Sequence, residues 1–167
     1  PPDTMASNAA IRILGIDPGT NITGYGLVEF AGRDPAVIEA GTIRTTTKAE
    51  LATRITQIYV DLCEILDEHK PDLVGVEQLY SHYAHPRTAI TMGHARGVIL
   101  LACEQRSIGV RHLTATQIKK SLTGNGHATK GQMQQAVQAL CRLDKPPTPA
   151  DVADAIAIAL CTGRRMD

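Results

Sequence analysis

The sequence predicts an α/β fold, a mixed five-stranded sheet with helices on both faces. Three observations point there. Short apolar runs that stop at Gly, Pro or an acid read as buried strands. Longer runs with apolar residues at three- and four-residue steps read as helices. After an opening trio of strands the two kinds alternate, an order that lays helices on a sheet.

Ile11–Ile16 (IRILGI) is the first strand, ended by the turn signal Asp17-Pro18-Gly19. Thr23–Phe30 and Val37–Thr45 read as two more, split by Gly32 and Pro35, in an antiparallel meander. Leu51, Ile55, Ile58, Tyr59, Leu62, Ile65 and Leu66 mark an amphipathic helix that ends before Pro71. Leu73–Val76 is a buried strand stopping at Glu77, and the helical crossover makes it parallel to the first. Ala89–Cys103 is a helix rich in small residues (Gly93, Ala95, Gly97, Ala102), suited to close approach of another backbone. Val110–Leu113 is the last strand, and Ile118–Leu122 a helical turn broken by Gly124-Asn125-Gly126. Thr129 can cap a helix running through Leu143, closed by Pro146-Pro147. Ala150–Cys161 is apolar almost all round, so it is expected to be buried.

The chain of 167 residues suits one domain, expected over Ile11–Asp167. Pro1–Ala10 is set aside as disordered or vector-derived. Lys and Arg number 17 against 17 Asp and Glu, so bulk charge gives no argument for nucleic-acid binding. No apolar run reaches the roughly 20 residues of a membrane span, and residues 1–10 lack the charged start and apolar stretch of a signal peptide. Cys63, Cys103, Cys141 and Cys161 form no CxxC and read as buried free thiols. A cytoplasmic protein is the expectation.

Four carboxylates stand in unusual places. Asp17 ends the first strand and Glu77 the fourth. If those strands are parallel neighbours, both acids emerge at the carboxyl edge of the sheet, where open α/β sheets place their sites. Asp151 and Asp154 are three residues apart on the last helix and share a face. Asp154 sits among Val152, Ala153, Ala155, Ile156, Ala157 and Ile158, where a lone carboxylate is costly to desolvate. Oxygen-rich clusters of this kind suit Mg²⁺ or Mn²⁺, and two such ions about 4 Å apart can clamp a phosphodiester. Each acid has a plainer reading. Asp17 could open the turn, Glu77 could pair with an Arg, and Asp151 could be a dipole or capping-box residue at N3.

Ile13–Gly26 (ILGIDPGTNITGYG), Val74–Tyr80 (VGVEQLY), Gly93–Leu100 (GHARGVIL) and Ala150–Ala159 (ADVADAIAIA) resemble the signature segments of the RuvC family, bacterial Holliday-junction resolvases. The resemblance covers nearly all of Ile11–Gly163. It implies an RNase H-like fold, a homodimer, two Mg²⁺ ions per site with Mn²⁺ as a substitute, and paired nicks across a four-way DNA junction. RuvA and RuvB are implied as partners. By resemblance Asp17, Glu77, Asp151 and Asp154 match the family's catalytic tetrad. Asp17 would bridge both ions, Glu77 would bind one, and Asp154 with Asp151 the other. Some relatives carry His at the position of Asp151. The resemblance also points to Lys119 and Lys130 as functional lysines and to Tyr80 as an aromatic that stacks on an unpaired base. The lysines could equally be solvated surface residues, and Tyr80 a loop residue packing on the sheet edge.

Other motifs weigh less. His82 and His85 form an HxxH in a loop without nearby cysteine, a poor zinc site that could instead touch DNA. Gly124–Gly126 lacks the spacing of a nucleotide-binding loop. Asp17-Pro18-Gly19-Thr20 also resembles the opening of sugar-kinase and actin-like ATPases, but those need a second domain for which there is no room. A non-catalytic junction-binding module and a nuclease for ribosomal RNA precursors are the remaining alternatives.

Overall fold

The structure, a computed structural model, describes residues 9–79 and 86–166. Five strands form one sheet in the order β3-β2-β1-β4-β5. β1 (Ile11–Asp17), β2 (Ile22–Ala31) and β3 (Asp34–Arg44) make the antiparallel meander. β4 (Leu73–Glu77) runs parallel to β1, and β5 (Gly109–Leu113) parallel to β4. α1 (Leu51–His69) and α2 (Pro86–Glu104) cover one face. α3 (Ala115–Thr123), α4 (Lys130–Leu140) and α5 (Ala150–Gly163) cover the other.

Strand alternation sorts the two cores. Leu14, Ile16, Val74 and Val76 point toward Ile58, Leu62 and Leu66 of α1 and Ile99 of α2. Ile13, Val28 and Leu113 point toward α3, α4 and α5. Each fully buried Ile or Leu contributes roughly 1.5–3 kcal/mol. Among the described residues no helix is long and apolar enough to cross a membrane.

Element ends differ from the sequence reading where caps decide them. Pro35 lies inside β3 rather than in the turn, and β3 is an edge strand, where the missing N–H of proline is tolerated. The turn is made at Gly32, with φ 65°. The short helical turn around Ile118–Leu122 grows to the nine residues of α3, because Thr114 and Gln117 form a capping box. α4 begins as expected after Thr129 but stops at Leu140, three residues early, with Arg142 turning out at φ 53°. α5 reaches Gly163.

What seats α5 is a row of glycines. Gly26, Gly15 and Gly75 are register neighbours across β2, β1 and β4. A Cβ on Gly15 would lie 2.0 Å from the Ala155 carbonyl oxygen, on Gly26 2.7 Å from Ile156 Cγ1, and on Gly75 2.1 Å from Thr162 Oγ1. The helix therefore lies in a trough with its backbone almost on the sheet. From Val152 to Thr162 every residue of α5 except Asp154 is buried.

Candidate active site

Asp17 and Glu77 are the last residues of β1 and β4, one step beyond the paired Ile16 and Val76. They follow Gly15 and Gly75 by two residues, so both side chains leave the face that α5 covers. Asp151 and Asp154 come down on that face from the first turns of α5. Asp17 pairs across the meander with Gly24, and a Cβ on Gly24 would lie 2.2 Å from the Asp151 carbonyl oxygen. The sheet edge and the helix thus bring the four acids to one corner.

Their charges feel one another. Burial first, then the charges of Asp154, Glu77 and Asp151, together push the Asp17 carboxyl up to about 7, while Lys130 opposes them. Glu77 is raised by burial and by Asp154, against Lys119. Asp154 is raised by burial and by Asp151, against Lys130 and Lys119. All four acids remain half-buried, open to water on one side. Among the described residues no three His, Cys, Asp or Glu side chains already stand at metal-binding spacing. The acids share one electrostatic field.

A cleft of about 200 Å³ opens beside them, lined by Glu77, Asp154, Lys119, Lys130 and an apolar wall that includes Ile118 and Met133. Lys119 stands on α3, and Lys130 is the first residue of α4. The positive end of α4 adds to the Lys130 charge. The structure thus places both lysines at the cleft beside the carboxylates, Lys119 half-buried and Lys130 exposed.

The plainer readings of the acids fare poorly. The turn after Asp17 is tied by Thr23, whose Oγ1 donates to the Gly19 carbonyl at 2.6 Å, and among the described residues the Asp17 carboxylate accepts no hydrogen bond in it. Arg96 does approach Glu77, but its Nε donates to the backbone carbonyl at 3.4 Å, and its other end meets His112 Nδ1. Asp151 sits at the second position of α5 rather than the third, because Pro149 is the cap residue. No side-chain capping bond forms there, so the capping-box expectation is corrected and only the favourable helix-dipole position remains. Among the described residues none of the four acids forms an ion pair. Tyr80, His82 and His85 lie outside the described residues. Sequence reasoning misses the glycine row and the Arg96–His112 contact. A signal for the former is present, since glycine is disfavoured inside strands unless something approaches closely.

The family model for crossover junction endodeoxyribonuclease RuvC matches residues 13–162. The RuvC of Rhodopirellula baltica is 48% identical over 158 residues, covering 95% of this chain and 89% of its own. That of Caldicellulosiruptor saccharolyticus is 43% identical over 152 residues, covering 90% and 91%. Among solved structures, Thermus thermophilus RuvC superposes with a TM-score of 0.84 at 29% identity, covering 92% and 93% of the two chains. The same protein in complex with a Holliday junction substrate gives 0.83 at 27% identity, covering 92% of each. The five-stranded mixed sheet with helices on both faces is thus RNase H-like. The chain belongs to the RuvC family of crossover junction endodeoxyribonucleases.

Proposed function

We propose that this chain resolves Holliday junctions in DNA recombination and repair, cutting as a homodimer with paired, symmetric nicks and Mg²⁺ held by its carboxylates. The observation that carries the reading is the convergence of Asp17, Glu77 and the α5 acids at one sheet corner, beside a cleft holding Lys119 and Lys130. The junction substrate follows from family membership and from the junction bound by the Thermus thermophilus relative.

The donor set fits a hard divalent cation. It consists of carboxylate oxygens, and Asp17 is raised by burial and then by Asp154, Glu77 and Asp151, a crowding of buried acids that a cation relieves. Asp17, Glu77, Asp154 and Asp151 would hold a pair of Mg²⁺ ions, with Mn²⁺ an effective substitute. Bound there, the metal supplies Lewis-acid stabilisation of the charge developing on the phosphodiester oxygens. The remaining work falls to the chain. Lys119 and Lys130 bind the strand's phosphates, and the amino end of α4 reinforces Lys130. The apolar wall of Ile118, Met133, Ala157 and Ile158 keeps water from that side of the cleft, which strengthens those charge contacts. Tyr80 would stack on an unpaired base near the crossover, so Tyr80→Phe keeps most cutting and Tyr80→Ala does not.

Two equivalent sites suit a nearly two-fold substrate. The outer face of α2 supports the dimer: Ile90 is 64% and Leu101 50% exposed, and between them Gly93 and Gly97 have open space around them. RuvA and RuvB are the proposed branch-migration partners.

The deciding experiment incubates the protein with immobile and mobile four-way junctions plus Mg²⁺ and maps cuts on all four strands. Symmetric paired nicks that vanish with a chelator are expected. Failure to cut either junction overturns the reading.

A further inference from the structure

We infer that Gly24, with Gly26 behind it, is a positioning residue of the carboxylate site: its missing side chain sets how deeply α5 seats Asp151 and Asp154 against Asp17. The inference rests on the metal-binding reading of those acids. Gly24 is the direct cross-strand partner of Asp17. A Cβ there would lie 2.2 Å from the Asp151 carbonyl oxygen, 2.7 Å from its carbonyl carbon and 3.1 Å from its own Cβ. These are backbone atoms and the root of a side chain, so no rotamer change relieves the overlap.

Backbone conformation does not demand glycine here. The positive-φ glycines are Gly32 and Gly124, and Gly24 lies in regular strand. Glycine inside a strand is otherwise unfavourable. Space is what the position requires, and the space is filled by the acidic first turn of α5. Gly26, two residues on, makes room for Ile156 in the same way, with a side-chain atom nearest at 2.7 Å. Gly75 serves the far end of the helix, where the obstacle is Thr162 Oγ1. A methyl at Gly24 would need about an ångström more clearance, lifting the end of α5 that carries Asp151 and Asp154. Displacements of about 1 Å can cost roughly a hundredfold in turnover.

The test compares wild type, Gly24→Ala, Gly26→Ala and Gly75→Ala/Thr162→Ala. In the last of these the obstructing hydroxyl is removed, and the nearest remaining contact, Ile158 Cγ2 at 3.0 Å, lies beyond the turn that carries Asp151 and Asp154. Mn²⁺ binding without DNA is followed by electron paramagnetic resonance, thermal unfolding by circular dichroism, and junction affinity is measured in chelator. We expect Gly24→Ala to lose at least tenfold in Mn²⁺ affinity and roughly a hundredfold in kcat, with junction affinity within twofold of wild type. The double variant should melt lower yet bind Mn²⁺ as wild type does. If wild type binds no Mn²⁺, the metal reading fails and this inference with it. If wild type binds and Gly24→Ala binds equally well, Gly24 has no positioning role and the metal reading stands. Should Gly24→Ala not fold, Gly26→Ala decides, because its Cβ would meet Ile156 Cγ1 at 2.7 Å and the Ile156 backbone at 3.1 Å and so presses more gently on the same end of α5: weaker Mn²⁺ binding supports the inference and unchanged binding overturns it.

Discussion

In its proposed role Asp17 carries two opposed demands, charge for a cation and burial for a fold. Its folded carboxyl stands at about 7 against an ordinary 3.8. Below about pH 3 both folded and unfolded chains hold the proton, and the group is neutral to stability. As pH rises toward 7 the unfolded chain releases its proton while the folded one retains it, so metal-free stability falls. Above pH 7 the whole penalty is present. A shift of this size corresponds to at most about 4 kcal/mol, and water reaching the half-buried carboxyl reduces that to about 1–2 kcal/mol. Asp17→Asn should therefore raise the chelator-treated melting temperature by a few degrees at pH 8 and leave it unchanged at about pH 3. The same variant should abolish cutting while retaining junction binding, so wild-type nicking by Asp17→Asn would remove the acid from the site. Lys119→Ala and Lys130→Ala should each weaken cutting without lowering the melting temperature. For a lysine bound to phosphate, its loss also reduces the salt slope of junction binding by about one; slopes and rates equal to wild type for both would return them to the solvated surface.

At the scale of elements, the site depends on how helices begin. Thr129 Oγ1 accepts the Gln132 N–H at 3.2 Å, and Gln132 Oε1 accepts the Thr129 N–H at 2.9 Å. This box fixes the first turn of α4 and with it Lys130. Thr129→Ala should cost about 1 kcal/mol and reduce cutting, because Lys130 then leads a fraying helix. Thr129→Ser keeps the hydroxyl and should restore both. Melting curves and junction cleavage measured on the pair separate the cap from the loss of a methyl group. The boxes at Thr114 and Thr129 share the pattern T-x-x-Q. The Thr129 cap is legible in the sequence, whereas α3 reads there as a single turn because its apolar spacing is short and the Thr114 box carries its start. α4 reads too long because Leu143 continues the apolar spacing after the chain has turned at Arg142.

At the scale of the molecule, the proposed dimer turns on the exposed face of α2. Gly97 has nothing within 4 Å of a built Cβ. Gly97→Arg should thus fit the isolated protomer, and a helix interior gains about 0.5–1 kcal/mol when glycine is replaced. The same substitution places a charge in the proposed contact. Sedimentation should show wild-type dimer at micromolar concentration and monomer for Gly97→Arg. Junction cuts should change from paired to absent or single. A dimer that survives Gly97→Arg would move the interface elsewhere.

The amino-acid order alone determined the strand and helix sequence, the parallel pairing of β1 with β4 and the burial of α5, since these follow from local periodicity and chain connectivity. It also singled out Asp17, Glu77, Asp151 and Asp154, because acids at strand ends and within an apolar helix are costly without a purpose. The tertiary structure decided how these acids meet. Gly15, Gly24, Gly26 and Gly75 read in the sequence as scattered gaps, and only the register of three strands aligns them into a trough for α5. It likewise brought Lys119 and Lys130, from two separate helices, to one cleft. Periodicity reports which face of an element is apolar, but the depth and direction of its docking depend on atoms far apart in the chain, where steric contact rather than local preference sets the geometry.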